Sequence, residues 1–93
     1  MTTTLYLVAY DVPNDKRRTK LHKALCGFGA WTQFSLFECF LDAKQLIALR
    51  NRIERLIDDQ EDNVRIYAIC EACVGRAETY GSGRPKEERV YLL

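Results

Sequence analysis

The chain has 93 residues, of which 47% are hydrophobic and 29% are charged, and its formal net charge is +1. This composition excludes a disordered chain, and the length suits one small domain with a thin core. Because the net charge is close to zero, the overall charge gives no indication of a nucleic-acid partner. We therefore expect residues 1–93 to form a single domain whose function is encoded in local patterns.

The N-terminal stretch "MTTTLYLVAYD" lacks the basic region and long apolar region of a signal peptide. No apolar run approaches the ~20 residues that a transmembrane helix needs. We expect a cytoplasmic protein with no membrane partner and with reduced cysteines. "CEAC" at 70–73 has the spacing of half a zinc site, but no second pair follows, so packing thiols are favoured.

The first predicted element is a strand over residues 4–10, which are apolar on both faces, as in a central strand. Pro13 cannot donate to a ladder, so the strand must stop by Val12. Asn14 or Asp15 can then cap a helix. Four apolar residues at helical spacing define its buried stripe: Leu21, Ala24, Leu25 and Phe28.

Residues 31–41, "WTQFSLFECFL", are typical of β-structure and contain no Gly or Pro turn signal. They can form one long strand, or two short ones with a reversal near residues 35–36. Asp42 and Gln45 make a capping-box pattern that begins a second helix. Residues 64–70 predict another strand, and residues 90–93, "VYLL", a short terminal one.

This order favours an α+β fold. If residues 31–41 are two strands, it is a ferredoxin-like βαββαβ sandwich with an antiparallel sheet and an extra C-terminal strand. Along the first strand, apolar side chains would point to both faces of the sheet, whereas two helices can cover only one. Since a monomer rarely exposes a large apolar patch, the open face predicts a homodimer interface.

Asp11 follows the buried first strand, at the strand end where ligands tend to bind in α/β layouts. Asn14 adds polarity beside it. The alternative is that Asp11 only caps the turn before Pro13. A single carboxylate is a poor Mg²⁺ site, but a two-fold axis would supply a second copy and create a shared site.

Residues 16–23, "KRRTKLHK", carry five Lys or Arg. On a helical projection Lys16 and Lys20 face solvent, whereas Arg17 aligns with the apolar stripe, so its head should emerge near Asp11. A solvated helix face is the alternative interpretation. Beside a metal site, however, clustered cations favour phosphate binding by nucleic acid. The predicted phosphate-binding residues are Lys16, Arg17, Arg18 and Lys20.

Three stretches, "VAYDVPNDKRRTKLHKAL", "GFGAWTQFSLFECFL" and "VRIYAIC", occur in this order. Together they resemble the CRISPR-associated protein 2 family, with Leu36 a conservative departure from the usual Val. The resemblance implies a ferredoxin-like fold in which residues 31–41 form two strands. It also implies a homodimer in which strand 90–93 pairs with the sheet of the other subunit.

For the site, the resemblance implies that Asp11 is catalytic and binds a divalent cation, with Mg²⁺ expected, across the dimer axis. The family's motif arginines correspond to Arg17 and Arg18. Ser35 and Phe37 match the second motif and are expected to support the site, as is Asn14.

The implied function is a metal-dependent endonuclease acting on RNA or DNA as a nucleic-acid-binding homodimer in spacer acquisition. Its implied protein partner is the CRISPR-associated protein 1 integrase. One alternative is a non-catalytic scaffold of that integrase complex. Another is an ACT-type ligand-binding regulatory domain, which shares the layout. The basic run and the "DVPND" turn argue against the ACT-type domain.

Overall fold

The computed structural model describes residues 2–81. Its elements are β1 (Thr4–Asp11), α1 (Asp15–Leu25), β2 (Ala30–Gln33), β3 (Leu36–Leu41), α2 (Ala43–Leu56), β4 (Asn63–Ile69) and α3 (Glu71–Val74). The strands form one antiparallel sheet in the order β2-β3-β1-β4. The ferredoxin-like α+β prediction is confirmed. The predicted terminal strand, 90–93, lies outside the described residues.

The sequence marks where both long helices begin. Asn14 is the N-cap of α1, and its side-chain oxygen accepts the Arg17 N–H at 2.9 Å. Asp42 and Gln45 form the predicted capping box, since each side chain accepts the other's backbone N–H, at 2.8 and 2.9 Å. Each cap satisfies an amide that helix geometry leaves without a partner, which stabilises the helix by about 1 kcal/mol.

α1 ends at Leu25, three residues before the last member of the predicted stripe. Phe28 therefore packs against the core from the turn after the helix and is half-buried there. The short helix α3 was not predicted, because four residues are too few to display an apolar period. Within residues 2–81, no helix is both long and apolar enough to cross a membrane.

The core lies between the two long helices and one face of the sheet. Val8 on β1 and Phe37 on β3 are fully buried there, against Leu25 of α1 and Leu49 of α2. Side chains alternate along a strand, so the odd-numbered residues of β1 lie on the opposite face. We call that surface the open face; on β1 it carries Leu5, Leu7, Ala9 and Asp11.

Candidate functional site

Asp11 is the last residue of β1 and is exposed on the open face. Its register partner on β4 is Asn63. Its carboxylate makes no hydrogen bond or ion pair with any residue in the described range 2–81. An acid without internal partners at the end of a central strand contributes nothing evident to the fold, and its oxygens are available to a ligand.

Other groups hold the turn that follows Asp11. Arg18 donates from one guanidinium nitrogen to the carbonyl oxygens of Val12 and Pro13, at 2.9 and 3.3 Å. Its other nitrogen pairs with Asp15. Asn14 caps the helix from the far side of the turn. Asp11 therefore takes no part in the turn's hydrogen bonds, contrary to the turn-capping alternative, and Arg18 serves the turn itself.

Arg17 lies at the same end of the sheet as Asp11, but acidic side chains bind its guanidinium. Nε donates to Asp62 Oδ2 at 2.8 Å and Nη2 to Asp62 Oδ1 at 3.1 Å, with Glu61 Oε1 at 3.3 Å. The Asp62 side chain is completely inaccessible to solvent. Because Asp62 immediately precedes β4, this fork joins α1 to the start of that strand.

Sequence reasoning missed Asp62 as the partner of Arg17. The acid-rich run "DDQEDN" at 58–63 was the available signal, but its sequence does not say which acid meets which cation. In the structure Asp62 Oδ2 also accepts the backbone N–H of Asp58 at 2.8 Å, which closes the run into a compact turn. Arg17 thus has a structural role, and it could bind a phosphate only after its ion pair with Asp62 was broken.

This pairing predicts a pH dependence of stability. The hydrogen bond from Arg17 holds the pKa of Asp62 below its usual range, and burial opposes that shift. Because this pKa is lower in the folded state, the ionised carboxylate stabilises the fold. This contribution to the free energy of unfolding is fully present above the unfolded-state pKa of about 3.9. It is lost as the pH falls through the folded-state pKa.

Asp62→Asn should therefore lower the free energy of unfolding at pH 7. The difference in free energy of unfolding between variant and wild type should narrow below about pH 3.9, where the wild-type carboxyl takes up its proton. Urea denaturation across this range measures both effects. A gap that stayed constant down to the acid limit would contradict the assignment.

Lys16 and Lys20 are the predicted cations that remain unpaired within the described part of the chain. Both are exposed on α1. Neither side-chain ammonium makes a hydrogen bond or ion pair with residues 2–81. They can contact a phosphate without first breaking an internal ion pair, unlike Arg17 and Arg18.

Ser35 and Phe37 support the end of β1 from the helix side. The Ser35 carbonyl oxygen accepts the Tyr10 N–H at 3.1 Å. The Phe37 ring is fully buried, 6.3 Å from the ring of Tyr10 and 5.1 Å from that of His22. Burial also raises the pKa of Tyr10, whose hydroxyl lies 3.2 Å from His22 Nδ1. These residues fix the strand that carries Asp11 and lie behind the open face.

One copy of the described chain offers a divalent cation few ligands at this site. Among residues 2–81 no three His, Cys, Asp or Glu side chains converge to hold a metal. At this site one chain contributes one carboxylate, that of Asp11. Mg²⁺ is commonly bound through one or two carboxylates, with water and phosphate oxygens completing its shell. Two copies of Asp11 would match that requirement.

The fold and this site define a class: a small ferredoxin-like protein with an exposed acid where a central strand ends on the open face, and free cations on the adjoining helix. The family model described as "CRISPR associated protein Cas2" matches residues 4–77. The chain belongs to this family, as the sequence motifs predicted.

Two curated relatives match nearly the whole chain. "CRISPR-associated endoribonuclease Cas2 1" of Synechocystis is 48% identical, over 96% of this chain and 99% of its own length. "CRISPR-associated endonuclease Cas2 2" of Thermus thermophilus is 44% identical, over 100% of both chains. One name specifies RNA and the other does not.

Solved structures share the fold. A hypothetical protein, TT1823 from Thermus thermophilus, superposes with a TM-score of 0.79 at 44% identity, covering 90% of this chain and 99% of its own. A chain of a structure described as a partial Cas6-RT-Cas1–Cas2 complex gives a TM-score of 0.71 at 29% identity. That match covers 82% of this chain and 89% of the other.

Proposed function

We propose that this Cas2-family chain is a metal-dependent endonuclease that cleaves phosphodiester bonds of RNA or DNA as a homodimer during spacer acquisition. The observation that carries the proposal is Asp11, an exposed carboxylate at the end of a central strand, with no partner among residues 2–81. The names of the two relatives, an endoribonuclease and an endonuclease, support the same reaction class.

In this mechanism the Asp11 carboxylates of two subunits would hold Mg²⁺. When bound, the ion supplies positive charge that polarises the phosphate and activates water. Lys16 and Lys20 bind phosphates of the flanking backbone and so set its position against the acids. Asn14 and Arg18 hold the turn after Asp11, so the backbone that carries the carboxylate is already in place before the nucleic acid binds.

The homodimer is supported by the open face. Leu5 and Leu7 are only half-buried there, and Tyr67 on the neighbouring strand is 47% exposed. A second copy would remove this apolar surface from water and bring its own Asp11 toward the first. In the same proposal strand 90–93 pairs with the sheet of the partner subunit. Sedimentation equilibrium tests the assembly, with a dimer expected.

The nuclease is tested by incubating the wild-type protein with end-labelled RNA and DNA, single-stranded and duplex, in Mg²⁺ or in EDTA. We expect cleavage of at least one substrate in Mg²⁺ and none in EDTA. Equal cleavage in both buffers would contradict the metal dependence. No cleavage of any substrate would contradict the nuclease itself.

A scaffold of the integrase complex is the second candidate function. It is favoured by the structural match to a chain of a Cas1–Cas2 complex. Here the dimer would bind the CRISPR-associated protein 1 integrase and duplex DNA without cutting either strand. A spacer-integration assay separates the candidates, because a scaffold supports integration equally well with Asp11→Asn. The family match gives no support to an ACT-type regulatory domain.

Phosphate binding by Lys16 and Lys20 is tested by salt dependence. Each lysine replaced by glutamine should reduce the slope of log affinity against log salt by about 0.9 for duplex DNA, since one fewer counterion is released. Arg52→Gln, an exposed cation on α2, is the matched control and should leave the slope unchanged. Unaltered slopes for both lysine variants would mean that these cations only face solvent and bind no phosphate.

A further inference from the structure

The β2–β3 turn displays an aromatic ring at a strained backbone position. Phe34 has a φ of 46°. Its residue surface is 87% exposed. Bulky residues disfavour this left-handed conformation, and exposure also forgoes the stabilisation that burying a phenyl ring provides. Glycine or asparagine would suit the turn better, so Phe34 is poorly explained by folding alone.

Neighbouring groups hold the turn in place. The Trp31 indole N–H donates to the Phe34 carbonyl oxygen at 2.7 Å. The Trp31 ring is edge-on to that of His22, with ring centres 5.8 Å apart, which attaches the hairpin to α1. The Thr32 hydroxyl donates to the Leu36 carbonyl oxygen at 3.1 Å across the turn. The ring of Phe34 is thus carried on a braced turn.

This turn lies next to Asp11. Ser35 follows Phe34, and its carbonyl oxygen accepts the N–H of Tyr10, the residue before Asp11, at 3.1 Å. Consecutive Cα atoms are about 3.8 Å apart. Phe34 is thus one residue from Ser35, and Asp11 is one residue from Tyr10, the hydrogen-bond partner of Ser35. The aromatic turn therefore lies close to the carboxylate that the proposed nuclease uses. The turn is therefore within reach of a nucleic-acid strand that contacts the end of β1.

The surroundings of Phe34 favour a nucleobase over a protein surface. Its neighbours Thr32 and Gln33 are exposed and polar, so the rings of Phe34 and Trp31 stand in a hydrophilic setting. Protein hot spots are instead aromatic anchors seated in desolvated pockets within a contiguous core. An exposed flat ring near cations that can hold phosphates is the arrangement by which proteins stack unpaired bases.

We propose that Phe34 is a stacking platform for one unpaired base of a strand whose phosphates Lys16 and Lys20 bind beside Asp11. The inference rests on the proposed function and specifies its substrate class, a single-stranded nucleic acid or a single-stranded segment. The bases of a duplex are already stacked on their neighbours, so a duplex has no free base face for the Phe34 ring to contact. Stacking tolerates any base, so the platform selects strandedness and not sequence.

The test measures fluorescence anisotropy of a fluorescein-labelled single-stranded RNA of mixed sequence, and of its duplex, in EDTA so that nothing is cut. Phe34→Asn removes the ring while suiting the left-handed turn. We expect its single-strand affinity to fall between about fivefold and a hundredfold, the loss of one base–aromatic stack. Duplex affinity and the salt slope should stay at wild-type values, because stacking releases no counterions.

Two further variants complete the experiment. Phe34→Tyr keeps a flat ring and should bind the single strand like the wild type. Ile47→Asn removes another exposed apolar side chain, 56% exposed on α2, and should change neither affinity. Single-strand binding by Phe34→Asn equal to wild type would overturn the platform, as would an equal loss for the duplex.

The cleavage assay keeps this inference distinct from the proposed nuclease. If the wild type cleaves in Mg²⁺ while Phe34→Asn binds single strands normally, the platform fails and the nuclease stands. If Phe34→Asn loses single-strand affinity but the wild type cleaves nothing, the platform stands and the nuclease fails. If Phe34→Asn instead loses only its binding to the integrase, the ring contacts protein and the platform is overturned.

Discussion

Asp11→Asn is expected to abolish Mg²⁺-dependent cleavage while the protein folds, dimerises and binds nucleic acid. The substitution keeps the size of the side chain and removes the charge that would hold the ion. The Asp11 carboxylate has no partner within residues 2–81. The free energy of unfolding should therefore change by no more than about 0.5 kcal/mol, as for other surface substitutions.

The cleavage rate of labelled substrate in Mg²⁺, alongside urea denaturation, measures both expectations. Asp59→Asn is the matched control, because it neutralises another exposed acid in the turn between α2 and β4. It should cleave like the wild type. Asp11→Asn cleaving at the wild-type rate would remove Asp11 from the chemistry and with it the nuclease proposal.

Gly29→Ala is expected to destabilise the fold by about 3 kcal/mol, at the upper end of the range for overpacked cores. Gly29 is buried where the chain leaves α1 and passes over β3. A Cβ there would lie 2.3 Å from the Glu38 carbonyl oxygen and 2.5 Å from the Cys39 sulfur. Cys39 is itself fully buried, so neither atom has room to move aside.

Gly27→Ala serves as its control, since the nearest atom to that Cβ is the Ala24 carbonyl oxygen at 3.3 Å. It should change the free energy of unfolding by no more than about 1 kcal/mol. Urea midpoints at constant m-value compare the two variants. Equal midpoints would mean that β3 can shift away from Gly29 at little cost.

The sequence predicted those parts of the fold that depend on local chemistry. The capping box at Asp42 formed because both partners lie within one helical turn. The hairpin within residues 31–41 could not be derived in the same way, since Phe34 occupies a left-handed position that sequence patterns associate with glycine. The bond from Trp31 that braces this turn needs the folded hairpin. Only the family resemblance identified two strands there.

In the candidate site, too, the features set by local sequence were predicted and those set by tertiary contacts were not. Alternation along β1 was enough to predict Asp11 on the open face. The partner of Arg17 was not predictable, because Asp62 is 45 residues away and meets it only when the turn before β4 packs against α1. Phe37 was predicted to support the site, and the structure buries it in the core behind β1. Helical spacing gives a side chain's direction but not its partner.

Titration with Mn²⁺, followed by the paramagnetic signal of the free ion, tests most directly whether two copies of Asp11 form one metal site. Mn²⁺ suits this measurement because carboxylate and water oxygens bind it as they bind Mg²⁺. We expect the wild-type protein to bind one ion for every two chains, and Asp11→Asn to lose that ion. One ion for every chain, or equal binding by Asp11→Asn, would contradict a shared site at the dimer axis.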